Sequence, residues 1–379
     1  MAEPLINWTD DTSHVLINRL LPHASRYLLE EAVKPHVHLQ GHLWVASSGT
    51  ESFPKMIALS KQAMLSSARA VNQHLSMTLQ DRWLNVLPLF HVGGLGVHAR
   101  AFLSESPVFD FSKEKWLPEN YVNRLNEFGI SHSSLTPTHV YDLVLRCLSA
   151  PKTLKAIIVG GGVLSKELHE RAFALGWPLL TSYGMTEMGS QIATAKEPFP
   201  NAPLEILPHV EVKFNDDGFM VVKSEALLTG FVHGDDLQRR FIDPKVNGWY
   251  TTQDRGEMVD NGLKVHGRGA NFMKIGGENI SFTELENIWG ALKISQNYDD
   301  EAVLIDLPDD RLGRIVCVAV KKAKNHHDQR LHVLMNAYHQ KVMPLAKIRH
   351  VYYMEKIPQT DLYKLKKDEL RQLIMHPSK

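Results

Sequence analysis

A hydroxyl-rich loop after a short apolar strand is the first segment whose residues could do chemistry. Residues 44–60 read WVASSGTESFPKMIALS. The residues of this loop that could hold a ligand are Ser47, Ser48, Gly49, Thr50 and Lys55. Backbone N–H groups, hydroxyls and one ammonium group in a single turn suit the binding of an anion. A P-loop has a glycine before its lysine, whereas Pro54 stands there, so taken alone the segment favours an ordinary surface turn over a phosphate site.

Three later segments also place polar groups in turns or after strands. The glycines at 160–162 permit close approach of the backbone to a nucleotide, although three glycines are equally a tight turn. In TSYGMTE, the Tyr183 ring could stack on a base and the Glu187 carboxylate could hold Mg²⁺. Asp254 could bind a ribose diol or cap a turn, and Arg268 could bind phosphate or sugar or be solvated.

A mixed α/β fold is predicted from the elements around these segments. Residues 154–187 read as strand, glycines, a helix that opens at Ser165 and closes at Gly176, and a second strand, which is a βαβ unit of a parallel sheet. Beyond residue 205, Asp-Gly and Asn-Gly pairs between strand-like residues predict antiparallel hairpins. The C-terminal segments predicted are a helix at 283–292, strands at 302–306 and 315–320, a helix at 327–342, and a basic tail with a terminal helix.

Length and composition set the broad class. The chain has 379 residues, 44% of them apolar and 22% charged, which is typical of a globular protein with sizeable cores. Its 42 basic and 42 acidic residues balance, so no bulk attraction to nucleic acid or to an anionic membrane is expected. Two cysteines argue against a disulfide framework or a CxxC zinc site. Without a signal-like N-terminus or about 18 consecutive apolar residues, we expect a cytoplasmic protein with no membrane span.

The order of the motifs connects these segments. SSGTESFPK, LPLFHVGG, LTPTHVYDL, VGGGVLS, SYGMTE, GWYTTQD, GR…GGENISFTELE and IPQTDLYK follow one another between about residues 43 and 372. In this order they resemble the core motifs of the adenylate-forming superfamily, which contains acyl-CoA synthetases, peptide-synthetase adenylation domains and luciferases. The resemblance implies an acid–thiol ligase that uses ATP and Mg²⁺ to form an acyl-adenylate and then passes the acyl group to CoA. The charge that develops on phosphorus would need a metal, a lysine and fixed donors.

The same resemblance implies two domains and a role for each motif. Residues 1–266 would bind ATP and the acid, 267–270 would form a hinge, and 271–379 would form a small, mobile α+β lid. The residues that would bind ATP are Ser47, Ser48, Gly49, Thr50 and Lys55 at the β- and γ-phosphates, Gly160, Gly161 and Tyr183 at the adenine, and Asp254 and Arg268 at the ribose. The residues that would act in catalysis are Thr186 at the α-phosphate, Glu187 on Mg²⁺, Lys364 between the acid and the ribose, and His91 at the gate of the acid pocket. Gly276 and Gly277 would face the CoA thiol after the lid rotates.

One segment indicates the acid. LPLFHVGGLGVHAR is similar to the corresponding segment of o-succinylbenzoate–CoA ligases of menaquinone biosynthesis, including an arginine, Arg100, nine residues after His91. That acid has two carboxylates, and the unreacted one would need a cation in an otherwise apolar pocket. Arg100 on an exposed helix is the alternative. A ligase for another aryl or fatty acid, and an adenylation enzyme that loads a carrier protein, also stay open.

Several residues depart from the family pattern. Glu51 and Ser52 stand where Thr-Gly is usual, Ala270 occupies the hinge position, and Tyr363 replaces a glycine before Lys364. About a hundred residues that relatives carry before the phosphate loop have no counterpart, so we expect a truncated first subdomain. The acid pocket would then be more open, or a second subunit would complete it in a homodimer. These departures also motivate a further hypothesis, a non-catalytic nucleotide-binding regulator.

Overall fold

The computed structural model describes most of the chain. The described residues are 6–19, 23–46, 55–234, 236, 238–260, 262–268, 272–275, 278–309, 312–321, 329–361 and 364–376. The residues singled out above that lie outside these ranges are Ser47, Ser48, Gly49, Thr50, Glu51, Ser52, Ala270, Gly276, Gly277 and Tyr363. Arg268 is placed in a strand, but its side chain lies outside the description.

The strands and helices alternate in the first half of the chain, and strands dominate after it. The strands are β1 His14–Leu16, β2 His42–Ala46, β3 Lys55–Ser60, β4 Trp83–Asn85, β5 Val108–Asp110, β6 His132–Leu135, β7 Ala156–Val159, β8 Leu179–Met185, β9 Ser190–Ala195, β10 Leu204–Ile206, β11 Glu211–Phe214, β12 Phe219–Lys223, β13 Gly230–His233, β14 Tyr250–Val259, β15 Gly262–Arg268, β16 Phe272–Ile275, β17 Glu278–Ser281, β18 Ala302–Asp309, β19 Gly313–Lys321 and β20 Ile348–Met354. The α-helices are α1 His23–Val33, α2 Lys61–Leu75, α3 Val92–Leu103, α4 Pro118–Glu127, α5 Pro137–Leu145, α6 Lys166–Ala174, α7 Phe282–Ser295, α8 Gln329–Lys341 and α9 Lys367–Met375.

An eleven-stranded sheet in the order β11-β12-β14-β15-β10-β9-β8-β7-β6-β4-β5 is the centre of the fold. The five strands from β8 to β5 are parallel to their neighbours, and those from β9 to β11 are antiparallel. β8 therefore joins the two halves, since it pairs in parallel with β7 and antiparallel with β9. A smaller sheet, β1-β2-β3-β13, lies outside this one.

The predicted βαβ unit is confirmed in β7, α6 and β8. The Ser165 hydroxyl caps α6 by accepting a hydrogen bond from the Leu168 amide at 3.2 Å. Gly176 follows the helix with φ +83°, a left-handed conformation that glycine adopts without strain. The predicted hairpins are confirmed as β11–β12 and β14–β15.

The C-terminal residues form two hydrophobic clusters of their own. One is centred on α7, α8 and the β18-β19-β20 sheet, and the other on the opposite side of that sheet under α9. The predicted helices and the first two strands are confirmed, and β20 and the β16–β17 hairpin are additional. The α/β class with a small C-terminal α+β part is therefore confirmed. None of the helices in the described ranges is long and apolar enough to cross a membrane.

Candidate active site

A cavity of about 220 Å³ lies at the carboxyl ends of β6, β7 and β8. This edge is where ligands bind in open α/β sheets. The residues predicted from the sequence that line the cavity are Lys55, His91, Arg100, Gly160, Gly161, Thr186, Glu187, Asp254 and Lys364. Segments more than 300 residues apart in the chain therefore meet around one space.

The glycine run and Lys364 meet in this cavity. Gly161 has φ +78°, so a side chain there would be strained. A Cβ atom at Gly161 would lie 3.4 Å from Cε of Lys364, so the lysine side chain passes directly over the glycine. The Lys364 amide donates to Oγ1 of Thr360 at 3.1 Å, and the Thr360 amide donates to the Lys364 carbonyl at 2.7 Å. These two hydrogen bonds join the backbone of Lys364 to Thr360 beside the cavity.

Asp254 lines the cavity, whereas Tyr183 is not among the lining residues. The Tyr183 hydroxyl donates to Oδ2 of Asp254 at 2.8 Å. Asp254 is 9% exposed and pairs in register with Arg268 across β14 and β15. The tyrosine therefore orients a carboxylate that faces the cavity, and its predicted stacking on adenine stays a prediction.

His91 occupies the N-cap position of α3 and lines the cavity. Its Nε2 atom is buried and has no hydrogen-bond partner among the described residues. Burial, together with the positive charge of Lys364, lowers the pKa of His91 to about 4. The imidazole is therefore neutral at physiological pH and offers one ring nitrogen to a ligand.

Arg100 lies on α3 and is 2% exposed, so the alternative of an exposed arginine is wrong. Its guanidinium donates to the hydroxyls of Ser134 and Ser190, each at 3.3 Å, and lies 5.4 Å from the ring centre of Trp83. Its Nε atom has no partner, and none of the carboxylates in the described part of the chain forms an ion pair with it. Burial lowers the pKa of Arg100 to about 9. A Cβ on Gly96, one helical turn earlier, would lie 2.8 Å from Nη2, so that glycine makes room for the cation.

A buried histidine, His132, packs against Trp83. The His132 ring lies 5.2 Å from the Trp83 ring, and its Nδ1 is 3.6 Å from Asp81. Burial would raise the pKa of Asp81, but hydrogen bonds from Lys155 and Thr78 outweigh it and lower the pKa to about 2. Asp81 is therefore an ionised, structural carboxylate.

Comparisons with known proteins agree with this geometry. A family model described as "AMP-binding enzyme" matches residues 43–226. The 2-succinylbenzoate–CoA ligase of Listeria monocytogenes is 28% identical over 336 residues, which cover 86% of this chain and 68% of the relative. The ligase of the same name from Salmonella typhimurium is 29% identical over 287 residues, covering 75% of this chain and 59% of the relative.

Residues 43–226 of this chain therefore form an AMP-binding domain. The predicted resemblance to the adenylate-forming superfamily, the predicted similarity to o-succinylbenzoate–CoA ligases and the enzyme class of an AMP-forming acid–CoA ligase are thereby confirmed.

Solved structures show that the AMP-binding fold is shared. The o-succinylbenzoate CoA synthetase (MenE) of Bacillus subtilis in complex with the acyl-adenylate intermediate OSB-AMP has a TM-score of 0.72 at 23% identity, covering 87% of this chain and 68% of that one. The same enzyme in complex with ATP and magnesium ion has a TM-score of 0.71 at 24% identity, covering 86% of this chain and 69% of that one. This AMP-binding enzyme thus spans about two thirds of the length of these relatives.

Sequence reasoning missed several polar residues of the AMP-binding enzyme's cavity. These are Ser134, Thr136, Ser182, Ser190, Gln191, Tyr250 and Gln253. Ser190 and Gln191 come shortly after the TSYGMTE segment and open β9, which pairs antiparallel with β8. Their position next to a predicted site segment was the signal that could have identified them. Gln191 is 3% exposed; its Oε1 accepts a hydrogen bond from Thr194, and its Nε2 has no partner among the described residues.

A single carboxylate, Glu187, is the predicted magnesium ligand of the AMP-binding enzyme. The described residues contain no group of three His, Cys, Asp or Glu side chains that could hold a metal by themselves. Mg²⁺ usually binds through one or two carboxylates together with substrate phosphates and water, and a glutamate at this cavity fits that pattern.

Proposed function

We propose that this AMP-binding enzyme is an ATP-dependent ligase that converts 2-succinylbenzoate and CoA to 2-succinylbenzoyl-CoA, a step of menaquinone biosynthesis. Curated relatives bear the name of this activity. The observation that carries the choice of acid is Arg100, a buried cation at the cavity with no carboxylate partner in the described part of the chain. One carboxylate of this acid can react while the other pairs with the guanidinium. A neutral acyl chain would leave the arginine buried without an anion.

The reaction uses three substrates in two steps. An oxygen of the acid attacks the α-phosphorus of ATP, the bond to pyrophosphate breaks, and the acyl-adenylate forms. The CoA sulfur then attacks the acyl carbon and AMP leaves. Lys364 and Thr186 donate to oxygens that become more negative in the first step, and the neutral His91 ring borders the acid.

The cavity also fits a nucleotide with bound magnesium. Gly161 lets a ligand approach the backbone closely, Asp254 presents a carboxylate to a ribose, and Glu187 faces the phosphate end beside Lys55. Mg²⁺, when bound, neutralises part of the phosphate charge. The roles of Ser47, Ser48, Gly49, Thr50, Arg268, Gly276 and Gly277 stay proposals that rest on the motif resemblance.

A division into residues 1–266 and 271–379, with a hinge at 267–270, is part of this proposal. The hydrophobic clusters support this division. Among the described residues, the clusters on the two sides of the hinge are separate, except that Ile294 from beyond the hinge packs into a cluster of the first part. Limited proteolysis is expected to cut first between residues 267 and 277. First cuts at other places would contradict the division.

Two further proposals concern the setting of the enzyme. A cytoplasmic location is supported by its use of ATP and CoA, and cell fractionation would test it. A homodimer that completes the acid pocket stays a proposal, and sedimentation at micromolar concentration would contradict it by showing a monomer.

The experiment that tests the function measures acid-dependent exchange of pyrophosphate into ATP. The purified protein is expected to catalyse exchange with 2-succinylbenzoate, and Lys364→Ala is expected to lose it because the cation at the α-phosphate is removed. Thioester formation with free CoA, without a carrier protein, is expected to follow. Faster exchange with benzoate or a fatty acid than with 2-succinylbenzoate would favour a ligase for a different acid. No exchange with any acid would favour the hypothesis of a non-catalytic nucleotide-binding regulator.

A further inference from the structure

The C-terminal end of helix α7 is joined by a set of polar contacts to the part of the enzyme formed by residues 1–266, called the body below. The chain leaves α7 through Asn297, whose φ is +50°. The Tyr298 amide donates to the Lys293 carbonyl at 2.8 Å, and the Asn297 amide donates to the Ile294 carbonyl at 3.1 Å. This pair of bonds is a Schellman motif, which leaves the remaining carbonyl capacity of the last turn open to other donors.

Arg171 on α6 uses that capacity. Its Nη1 donates to the Ile294 carbonyl at 2.5 Å, and its Nη2 donates to Oδ1 of Asn297 at 3.4 Å. The Tyr141 hydroxyl on α5 donates to the Tyr298 carbonyl at 3.1 Å. A cation at the C-terminal end of a helix is favoured both by the hydrogen bond and by the helix dipole.

Apolar and cation–π contacts surround these hydrogen bonds. Ile294 is 6% exposed and packs into the hydrophobic cluster of α5 and α6. The Lys293 ammonium lies 5.8 Å from the ring centres of both Tyr141 and Tyr298. The contact therefore combines a buried side chain, a charged cap and a neutral hydrogen bond.

Helix α7 also connects this contact to the catalytic lysine. Near its other end, Glu286 forms an ion pair with Lys367 at 2.8 Å. Lys367 is the first residue of α9 and follows Lys364 by three residues. The Phe282 ring lies 4.6 Å from the same ammonium group. Helix α7 thus contacts α5 and α6 through its C-terminal end, and through its N-terminal end it contacts the first residue of α9, three residues after Lys364.

We propose that Arg171 and Tyr141 are positioning residues that anchor the C-terminal end of α7 and thereby hold Lys364 over Gly161 for the adenylation step. The proposal rests on the proposed function, since it concerns the same lysine. Neither residue lines the cavity, so neither contacts a substrate there.

The proposal predicts that the two half-reactions respond differently. Arg171→Ala is expected to lower the rate of acid-dependent pyrophosphate exchange by about tenfold or more, because charge-assisted hydrogen bonds of this kind are lost. Thioester formation from supplied acyl-adenylate and CoA is expected to change by less than about twofold, because the transfer to phosphorus is already complete. Arg171→Lys should recover part of the exchange rate, and Tyr141→Phe should show a smaller loss than Arg171→Ala.

Arg146→Ala is the matched control. Arg146 follows α5, is 52% exposed, and pairs with Glu119 at 2.7 Å within the body. We expect both half-reactions to keep their wild-type rates in this variant, because surface ion pairs contribute little.

Hydrogen exchange of the backbone amides provides a readout that does not depend on activity. Arg171→Ala is expected to speed exchange at residues 292–298 and 364–370 while β6 and β7 keep their protection. Equal losses in both half-reactions, or faster exchange throughout the molecule, would overturn the proposal in favour of a general structural role. Unchanged adenylation would overturn it as well. If the wild-type protein shows no pyrophosphate exchange, the proposed function fails, and unchanged protection at 364–370 in the variant would still overturn the anchor.

Discussion

Replacing Arg100 by leucine is the sharpest test of how this enzyme recognises its acid. The guanidinium is 2% exposed, and its two protein hydrogen bonds are long, at 3.3 Å each. The free carboxylate of the substrate would therefore be its main charged partner. Removing one member of a buried ion pair costs about 3–5 kcal/mol, because the other charge is left uncompensated. We expect kcat/KM for 2-succinylbenzoate to fall by roughly two to four orders of magnitude in Arg100→Leu.

The same variant should leave the protein folded. Burial lowers the pKa of Arg100 to about 9, which means that the folded state disfavours the charged form. An apolar side chain removes that cost, so the free energy of unfolding is expected to stay level or rise. Urea denaturation at pH 7 of wild-type and variant protein measures this directly.

The assay compares two acids in pyrophosphate exchange. Benzoate has no second carboxylate, so Arg100→Leu is expected to change its kcat/KM by less than about tenfold or to improve it. Ser134→Ala should have a small effect on 2-succinylbenzoate, since one long hydrogen bond is lost. Arg124→Leu, which removes a surface arginine that pairs with Glu127 at 3.0 Å, is the matched control. Equal losses with both acids, or no loss with 2-succinylbenzoate, would refute the assignment of Arg100 to the free carboxylate.

Three other substitutions probe the framework of the site. Gly161→Ala is expected to lower the free energy of unfolding by about 1 kcal/mol, because φ is +78° there; an unchanged urea midpoint would contradict this. Gly184→Ala should abolish soluble expression, because its Cβ would lie 1.9 Å from a carbonyl oxygen of β9, and a soluble, active variant would be evidence against that close packing. Asp81→Asn should cost about 2 kcal/mol at pH 7, because the folded pKa of about 2 lies below the ordinary pKa of an aspartate, 3.8. This stabilisation is present above about pH 4 and is lost as the pH falls through 2, so the difference from wild type should shrink on acidification; a difference that is constant between pH 7 and pH 3 would argue against an ionised Asp81.

Local signals in the sequence predicted much of the fold. The sequence predicts that a helix opens at Ser165, and the Ser165 hydroxyl accepts a hydrogen bond from the first turn of α6, as the Ser60 hydroxyl does from that of α2. The Asp-Gly pair predicted the β11–β12 hairpin, and the order of strand, glycines, helix and strand predicted the βαβ unit before it. Strand β20 was missed, because IRHVYYM mixes charged and aromatic residues and its place beside β19 is determined by a distant partner.

The sequence by itself determined which residue types the enzyme brings to the reaction. The ordered motifs contain Lys364, two acidic residues, glycines and Arg100. Tertiary structure decided where they act. It buried Arg100 between Ser134 and Ser190, laid Lys364 over Gly161, and placed an arginine of α6 on the end of α7. The physical reason is that caps and turns depend on neighbours within a few residues, whereas burial, and with it the energy of a charge, depends on which distant strands and helices pack around it.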